Sequence, residues 1–387
     1  MERIIMHIDV NNAFLSWTAV YLLKKGHRDI RSEYAIIGGD ETKRRGIVLA
    51  KSMPAKKKGV KTAETIYSAR KKCPYLNVYP PNHKLYKAMS NSLFKLLSKY
   101  TSDIEIVSID ECFLDYTKVK NMYGDELEFA RKIKNEIYNT LGFTVNVGIA
   151  NNKLCAKMAS DFSKPNKIHT LYQDEVKTKM WPLPIGDLYG IGKSSTQKLL
   201  NLNIKTIGDL ANAKRELLYP YFKNQTSRII EIANGIDNDE VVSEEEDRVS
   251  ISSTTTLVYD YDDIEEINKE LRTISNKIAQ ELRDKNKYCY TIAIITKDMY
   301  FKSRTHQTKL KNCTNDERII YETAIKLFKE NWDNTPIRLI GIRLDSLTDT
   351  NDYQISLFEN VEKKENDDKL SKTIDLLRKK YGDNIIK

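Results

Sequence analysis

The sequence predicts an α+β chain of several domains, and three observations predict it. Over its first 172 residues, short runs rich in β-branched residues alternate with amphipathic helical stretches. Residues 183–210 then read as helix, Gly-Ile-Gly turn, helix. Residues 249–346 repeat a strand–helix–strand–strand–helix–strand order. A chain of 387 residues is long enough for about two to four such units, each with its own core.

Taken in order, residues 3–10 form a buried strand ending near Asp9, and Asn11, Asn12 and Ala13 turn the chain. Residues 14–25 form a helix with Phe14, Trp17, Val20 and Tyr21 on its apolar face. A carboxylate where a strand gives way to a helix either holds a metal beside free N–H groups or caps the helix. The run from Gly38 to Thr42 resembles the signature loop of diguanylate cyclases. It is followed by Lys43, Arg44 and Arg45 and another strand, with no helical half-domain before it, so it is a turn between strands. Lysines and arginines crowd residues 43–72, where Glu64 is the only acid; most are solvated, and one or two could reach a bound triphosphate.

Residues 83–100 form a helix that buries Leu85, Met89, Leu93, Leu96, Leu97 and Tyr100. It leads into residues 104–116, two strands joined at Asp110 and Glu111. Adjacent carboxylates repel unless a cation lies between them, so this tip is either a solvated hairpin end or half of a metal site. A helix over 126–140 and a strand over 143–150 complete a split β-α-β sheet with helices on one face. On that sheet Asp9 and the Asp110–Glu111 tip can meet. Residues 151–162 form a helix with an Asn at its start, and Ser163, Lys164, Pro165 and Asn166 break it, leaving Lys164 on a stiff turn or merely at the surface.

Composition sets outer limits. Hydrophobic residues at 40% and charged residues at 30% are too apolar a mix for disorder. Lys and Arg number 63 against 54 Asp and Glu, a formal charge of +9 that leans toward a polyanionic partner. Five scattered cysteines without a Cys-x-x-Cys pair exclude a disulfide framework or zinc site and suit a reducing interior. No apolar run reaches the roughly 18 residues of a membrane span, and a cytoplasmic protein is expected.

Four segments carry a resemblance: Asp9-Val10-Asn11-Asn12-Ala13-Phe14, residues 48–62, Ser108-Ile109-Asp110-Glu111, and Asn152 through Lys164-Pro165-Asn166. In this order and spacing they resemble the motifs of the Y-family DNA polymerases, nearest to the DinB and UmuC group. The resemblance implies a polymerase right hand: a ferredoxin-like palm over 1–10 and 81–172, small fingers over 11–80, and a helix-hairpin-helix thumb over 173–239. A linker over 240–247, acidic and expected to be mobile, leads to a β-α-β-β-α-β little finger over 248–347 and a tail over 348–387. It also implies template-directed, low-fidelity translesion synthesis on primer–template DNA from dNTPs, by a monomer. No second acidic motif set suggests a proofreading site. Asp9, Asp110 and Glu111 would hold two Mg²⁺ ions, a donor set without His or Cys that suits this ion, with the Val10 carbonyl as a further ligand. Phe14 would be the steric gate. Asn12 and Ala13 through their N–H groups, with Met53, Lys56 and Lys164, would face the triphosphate. Met53 stands where the family commonly has Tyr, Ala50 where it has Thr, and Lys56 where it has Arg; Met donates no hydrogen bond and Lys lacks the Arg fork. Asp115 is structural. Two rivals are a DNA-binding protein with a decayed polymerase site and a palm-type nucleotide cyclase.

Gly190, Gly192 and Lys193, with Lys198 nearby, suit contact with a DNA backbone through N–H groups and charge. The alternative is a plain turn between helices. Arg304 and Thr305 occupy a strand that either grips a duplex or faces solvent. In the tail, Gln354, Leu357 and Phe358 resemble the sliding-clamp peptide of bacterial polymerases, and Leu370, Ile374, Leu377 and Tyr381 form a narrow apolar stripe on a basic helix.

Overall fold

The computed structural model describes residues 2–44, 46–244 and 249–350, together with Thr373 and Leu377. It divides into two bodies, Met1–Gly39 with Ile47–Glu245, and Asp40–Gly46 with Glu246–Lys387. The tail residues Gln354, Leu357 and Phe358, and the stripe residues Leu370, Ile374 and Tyr381, lie outside the described residues.

The first body opens with β1 (Ile5–Val10) and α1 (Ala13–Lys24). A three-stranded sheet follows, built from β2 (Ala35–Gly38), β3 (Val48–Lys51) and β4 (Asn77–Tyr79) in the order β3-β2-β4. Between β3 and β4 lie the short helices α2 (Met53–Lys57) and α3 (Ile66–Lys72), capped by the hydroxyls of Ser52 and Thr65. Ile36, Val48, Val60 and Ile66 pack together beneath them.

The chain then runs through α4 (His83–Leu97), β5 (Ile104–Ile106), β6 (Glu111–Asp115), α5 (Lys120–Tyr123), α6 (Glu126–Leu141), β7 (Val145–Ala150), α7 (Lys153–Asp161) and β8 (Ile168–Leu171). The resulting sheet has the order β5-β6-β1-β7-β8. β1 pairs antiparallel with β6 and β7, and β8 lies parallel to β7. The sequence reading did not anticipate β8, whose four residues, Ile-His-Thr-Leu, carry too little apolar pattern to mark a strand.

Helices cover both faces of this sheet, a correction to the one-face expectation. Met6, Ile8 and Val10 pack with Trp17, Leu93, Leu97, Phe129 and Ile133 of α1, α4 and α6. The alternate residues, Ile5 with Phe113 and Ala150, pack under α7 and the helices after it. β7 is buried along its whole length, as a strand must be when both of its faces are covered. Asp9, one residue along from Ile8, is thereby turned to the α7 side.

The helical segment beyond contains α8 (Lys193–Asn201), α9 (Ile207–Ala211), α10 (Arg215–Phe222) and α11 (Thr226–Ala233) around Leu199, Ile204, Leu210 and Leu218. Before Gly190 the helical elements are short, a π-helical turn Val176–Met180 and a 3-10 turn Ile185–Asp187. Pro182 and Pro184 lack the backbone donors that a longer helix requires. The expected linker is tied down over its first residues. Glu105 accepts from Val242 N at 3.0 Å, and Lys153 Nζ donates to the Glu240 carbonyl at 3.2 Å.

α7 is anchored at its start by Asn152. Its side chain accepts from Cys155 N at 2.8 Å, and its amide donates to the Gly235 carbonyl at 2.8 Å. Asn152→Ala removes a cap and leaves the buried Gly235 carbonyl with only the weak Cys155 thiol donor, at 3.5 Å. We expect a loss of about 2 kcal/mol, measured as a lower urea midpoint; an unchanged midpoint would show that the cap contributes nothing.

The second body is a four-stranded antiparallel sheet with two helices on one face. Its elements are β9 (Ser250–Tyr261), α12 (Ile264–Asp284), β10 (Tyr288–Asp298), β11 (Ser303–Thr314), α13 (Glu317–Asn331) and β12 (Ile337–Thr348), and the strand order is β11-β10-β12-β9. Leu271, Ile278 and Leu282 meet Ile320 and Phe328 between helices and sheet. β11 starts only at Ser303. The Asp298 carboxylate accepts from Tyr300 N and Lys302 N, both at 2.9 Å, and so holds residues 299–302 in a turn.

Candidate active site

Register decides which acids meet. Asp9 on β1 lies directly opposite Glu111 on β6, and directly opposed residues point to the same face. Asp110 sits one residue earlier, at the hairpin tip. Its carbonyl accepts from Val10 N at 3.0 Å, and its carboxylate accepts from the Ser108 hydroxyl at 2.7 Å. Acids 102 positions apart in sequence are thus brought together by one strand pairing. Asp115, at the far end of β6, accepts from Thr117 N at 2.9 Å, a structural role.

The cation between the pair belongs to the protein. Lys157 Nζ on α7 lies 2.6 Å from Glu111 Oε2 and 3.4 Å from Asp9 Oδ2. Lys164 Nζ lies 3.0 Å from Asp9 Oδ1 and 2.8 Å from Asp161 Oδ1. Burial works against the charge on both lysines. For Lys157 the Glu111 bond with Asp161 and Asp9 outweighs it, and for Lys164 Asp9 and Asp161 do, so both pKa values rise. His7, fully buried beneath them, is pushed down to about 2, first by burial and then by Lys157 and Lys164. The Ser160 hydroxyl donates to the Lys157 carbonyl and lies 2.8 Å from His7 Nδ1. Among the described residues no three His, Cys, Asp or Glu side chains are grouped to hold a metal as they stand. The donor set of three carboxylates nevertheless fits a hard divalent cation.

Buried asparagines fix the loop that carries Lys164. Asn146, fully buried in β7, donates to the carbonyls of Ser160 and Ser163 at 2.9 and 2.6 Å. It accepts from Lys167 N at 3.1 Å and from the Asn11 amide at 3.0 Å, and Asn11 in turn accepts from Asn166 N at 2.8 Å. Neither Lys157 nor Asn146 was singled out from the sequence.

A cavity of about 330 Å³ opens beside this loop, lined by Asn12, Met53, Lys56 and Lys164 together with Lys51 and Arg31. Asn12 has φ of +53° and donates to the Lys51 carbonyl at 2.8 Å. Met53 and Lys56 are exposed, whereas Ala50 and Ala13 are buried. Burial, then Lys56, lowers the pKa of Lys51. Phe14 does not line the cavity. Its ring stacks on buried Tyr86 at 4.4 Å and 9°, and Tyr86 is held in turn by the Thr18 hydroxyl at 3.0 Å.

Comparison with known proteins gives this arrangement its family. Residues 8–161 match the model of the impB/mucB/samB family, 248–357 match that family's C-terminal domain, and 173–204 match its HHH motif. DNA polymerase IV of Clostridium acetobutylicum is 49% identical over all of this chain and 97% of its own length. The chain belongs to the Y-family of DNA polymerases. DNA polymerase IV 1 of Bacillus subtilis is 33% identical over 100% of this chain and 92% of its own. Among solved structures, the Y-family DNA polymerase chimera Dbh-Dpo4(243-245)-Dbh superposes with a TM-score of 0.77 at 26% identity, covering 90% of this chain and 100% of that one. DinB from Sulfolobus solfataricus gives 0.59 at 27% identity, covering 88% and 98%.

The polymerase is therefore a metal-dependent nucleotidyltransferase of the translesion type, acting on DNA and dNTPs. Its fold is that of a polymerase right hand, with palm, fingers, helix-hairpin-helix thumb and little finger. Among the described residues no helix is long and apolar enough to cross a membrane.

In the polymerase thumb, Gly190 has φ of +89° and Gly192 is the N-cap of α8, whose first residue is Lys193. Arg304 and Thr305 of the little finger point to opposite faces of β11. Arg304 shares its side with Leu310, which packs on the helical core, and pairs with Asp333 at 2.9 Å. Thr305, Gln307, Lys309 and Lys311 line the other, exposed side, where Arg343 donates to Gln307 at 3.3 Å.

Proposed function

We propose that Asp9, Asp110 and Glu111, with the Val10 carbonyl, hold two Mg²⁺ ions for nucleotidyl transfer to a primer 3′ end. The observation that supports it most is the pairing that sets Asp9 opposite Glu111 with Asp110 beside them. When bound, the two ions supply activation of the primer hydroxyl and neutralisation of charge on the leaving pyrophosphate. The chain's own part is placement, which is most of what phosphoryl transfer requires. The strand pairing holds the carboxylates at fixed separation. The Asn146 network holds Lys164 toward the triphosphate with Lys56, and the N–H groups of Asn12 and Ala13 face the same phosphates. Met53 adds apolar contact and no hydrogen bond.

Primer extension by the purified chain with Mg²⁺ and with chelator tests the whole reading. Binding of primer–template without extension would favour a decayed site instead. Phe14, braced by Tyr86, is proposed as the gate against a ribose 2′-hydroxyl. Phe14→Ala should raise ribonucleotide incorporation relative to dNTP use by about a hundredfold. Equal discrimination by mutant and wild type would remove Phe14 from this role.

The segmentation proposed is palm 1–10 and 81–172, fingers 11–80, thumb 173–239 and little finger 248–347. Gly190, Gly192 and Lys193, and Arg304 and Thr305, are proposed duplex contacts. For the little finger, the exposed side of β11 favours Thr305 over Arg304. The tail peptide with Gln354, Leu357 and Phe358 is proposed to dock on a sliding clamp. The protein is proposed to work as a monomer and in the cytoplasm, the latter supported by five buried cysteines that form no disulfide.

A further inference from the structure

Two carboxylates sharing one face of the palm sheet would repel each other, and Lys157 prevents it. The side chains of Asp9 and Lys157 are each 13% exposed and that of Glu111 is 21% exposed. At this burial the pair needs a cation; without Lys157, Lys164 still faces Asp9 Oδ1 at 3.0 Å, but Glu111 is left with a costly uncompensated charge. The ammonium reaches Glu111 Oε2 at 2.6 Å and Asp9 Oδ2 at 3.4 Å. An ion bridging those same carboxylates would stand about 2.1 Å from their oxygens. A divalent ion there and the Lys157 ammonium as placed would share Glu111 Oε2 and lie within about 5 Å of each other, where like charges repel. The two cations are alternatives.

The ammonium also has somewhere to go. Asp161, one helical turn onward on α7, lies 3.6 Å from Lys157 Nζ and is about half exposed at 49%. Positions i and i+4 lie on the same helix face, and the lysine stem is long and flexible. We propose that Lys157 is the resident counter-ion of the catalytic carboxylates, holding Asp9 and Glu111 together until a divalent ion replaces it and then turning to Asp161. This rests on the metal-binding role proposed above for Asp9 and Glu111. It makes ion binding an exchange of cations rather than a simple addition, so Lys157 sets the affinity for the ion without contacting substrate.

The test is Mn²⁺ binding to the full chain, without DNA or nucleotide, followed by electron paramagnetic resonance. Lys157→Met should bind Mn²⁺ about tenfold more tightly than wild type. In chelator the same variant should melt several degrees below wild type, and saturating Mn²⁺ should close that gap. Lys157→Arg should move the other way, because a guanidinium fork grips two carboxylates better than an ammonium, and its Mn²⁺ affinity should fall. An unchanged or weakened affinity in the Met variant overturns the counter-ion role. If the Met variant does not fold in chelator, the Arg variant decides alone: weaker Mn²⁺ binding supports the proposal and unchanged binding overturns it. Asp9→Asn and Glu111→Gln separate the two layers. If both keep wild-type Mn²⁺ affinity, the metal assignment fails and the counter-ion role with it. If both lose it while the Lys157 variants match wild type, only the counter-ion role fails.

Discussion

Replacing Asp110 with alanine is expected to slow primer extension by about a thousandfold or more while leaving primer–template affinity within about threefold of wild type. The structure explains why the loss should be chemical rather than structural. The Asp110 carboxylate accepts from the Ser108 hydroxyl, and Ser108 is itself half-buried on the hairpin turn. The contact that joins this tip to β1 runs from Val10 N to the Asp110 carbonyl, and alanine keeps that carbonyl. Asp9, Glu111 and Lys157 retain their own pairing. Single-turnover extension, DNA binding by anisotropy and thermal melting would separate these effects. Asp115→Ala is the internal control, since it removes a bond to Thr117 N at the opposite end of the strand. It should lower stability modestly and spare the chemistry. Extension by Asp110→Ala within tenfold of wild type would show that this carboxylate is not a metal ligand.

The second large effect comes from a residue with no side chain. A Cβ on Gly148 of β7 would lie 2.0 Å from the Ala156 carbonyl oxygen, 2.5 Å from Ser160 N and 3.0 Å from Ala159 Cβ. Two of these are backbone atoms of α7, so no rotamer change can relieve the clash. β7 cannot retreat either, because β1 and β8 pair with it on both sides. Gly148→Ala must lift α7 off the sheet, and we expect a destabilisation of about 3 kcal/mol or more. The same shift would carry Lys157 away from Asp9 and Glu111 and strain the Asn146 bonds to Ser160 and Ser163. Extension should therefore fall even at temperatures where the variant stays folded. A variant with the wild-type urea midpoint and full activity would mean that α7 packs more loosely here than these distances require.

These two residues differ in how far the sequence exposes them. Asp110 stands next to Glu111 between apolar runs, and two adjacent acids in such a setting invite the question of what neutralises them. Gly148 is a glycine in an apolar strand, a pattern shared by bulges and by simple tolerance. Nothing local tells which helix will cross it. Lys157 was equally hidden. A lysine among Ala, Leu and Met at helical spacing reads as a solvated position, and only the crossing of α7 over β1 and β6 turns it toward acids 148 and 46 positions away. Asn146 interrupts a strand read as apolar, and its four partners come from Asn11, Ser160, Ser163 and Lys167. The second sheet face was missed for a related reason: strands buried on both faces lose the alternation that would reveal which side is covered.

What the sequence determined by itself was local and cumulative. Apolar periodicity set the strands around Asp9 and Glu111, Asn152 marked the start of α7, and four motifs in one order identified a Y-family polymerase. What only the tertiary structure decided was which charges share a space. The register of β1 on β6 places Asp9 against Glu111, and the packing of α7 supplies the ammonium between them. The reason is physical: backbone preferences act over a few neighbours, whereas electrostatic and steric partners are chosen by distance in space, which chain order does not encode.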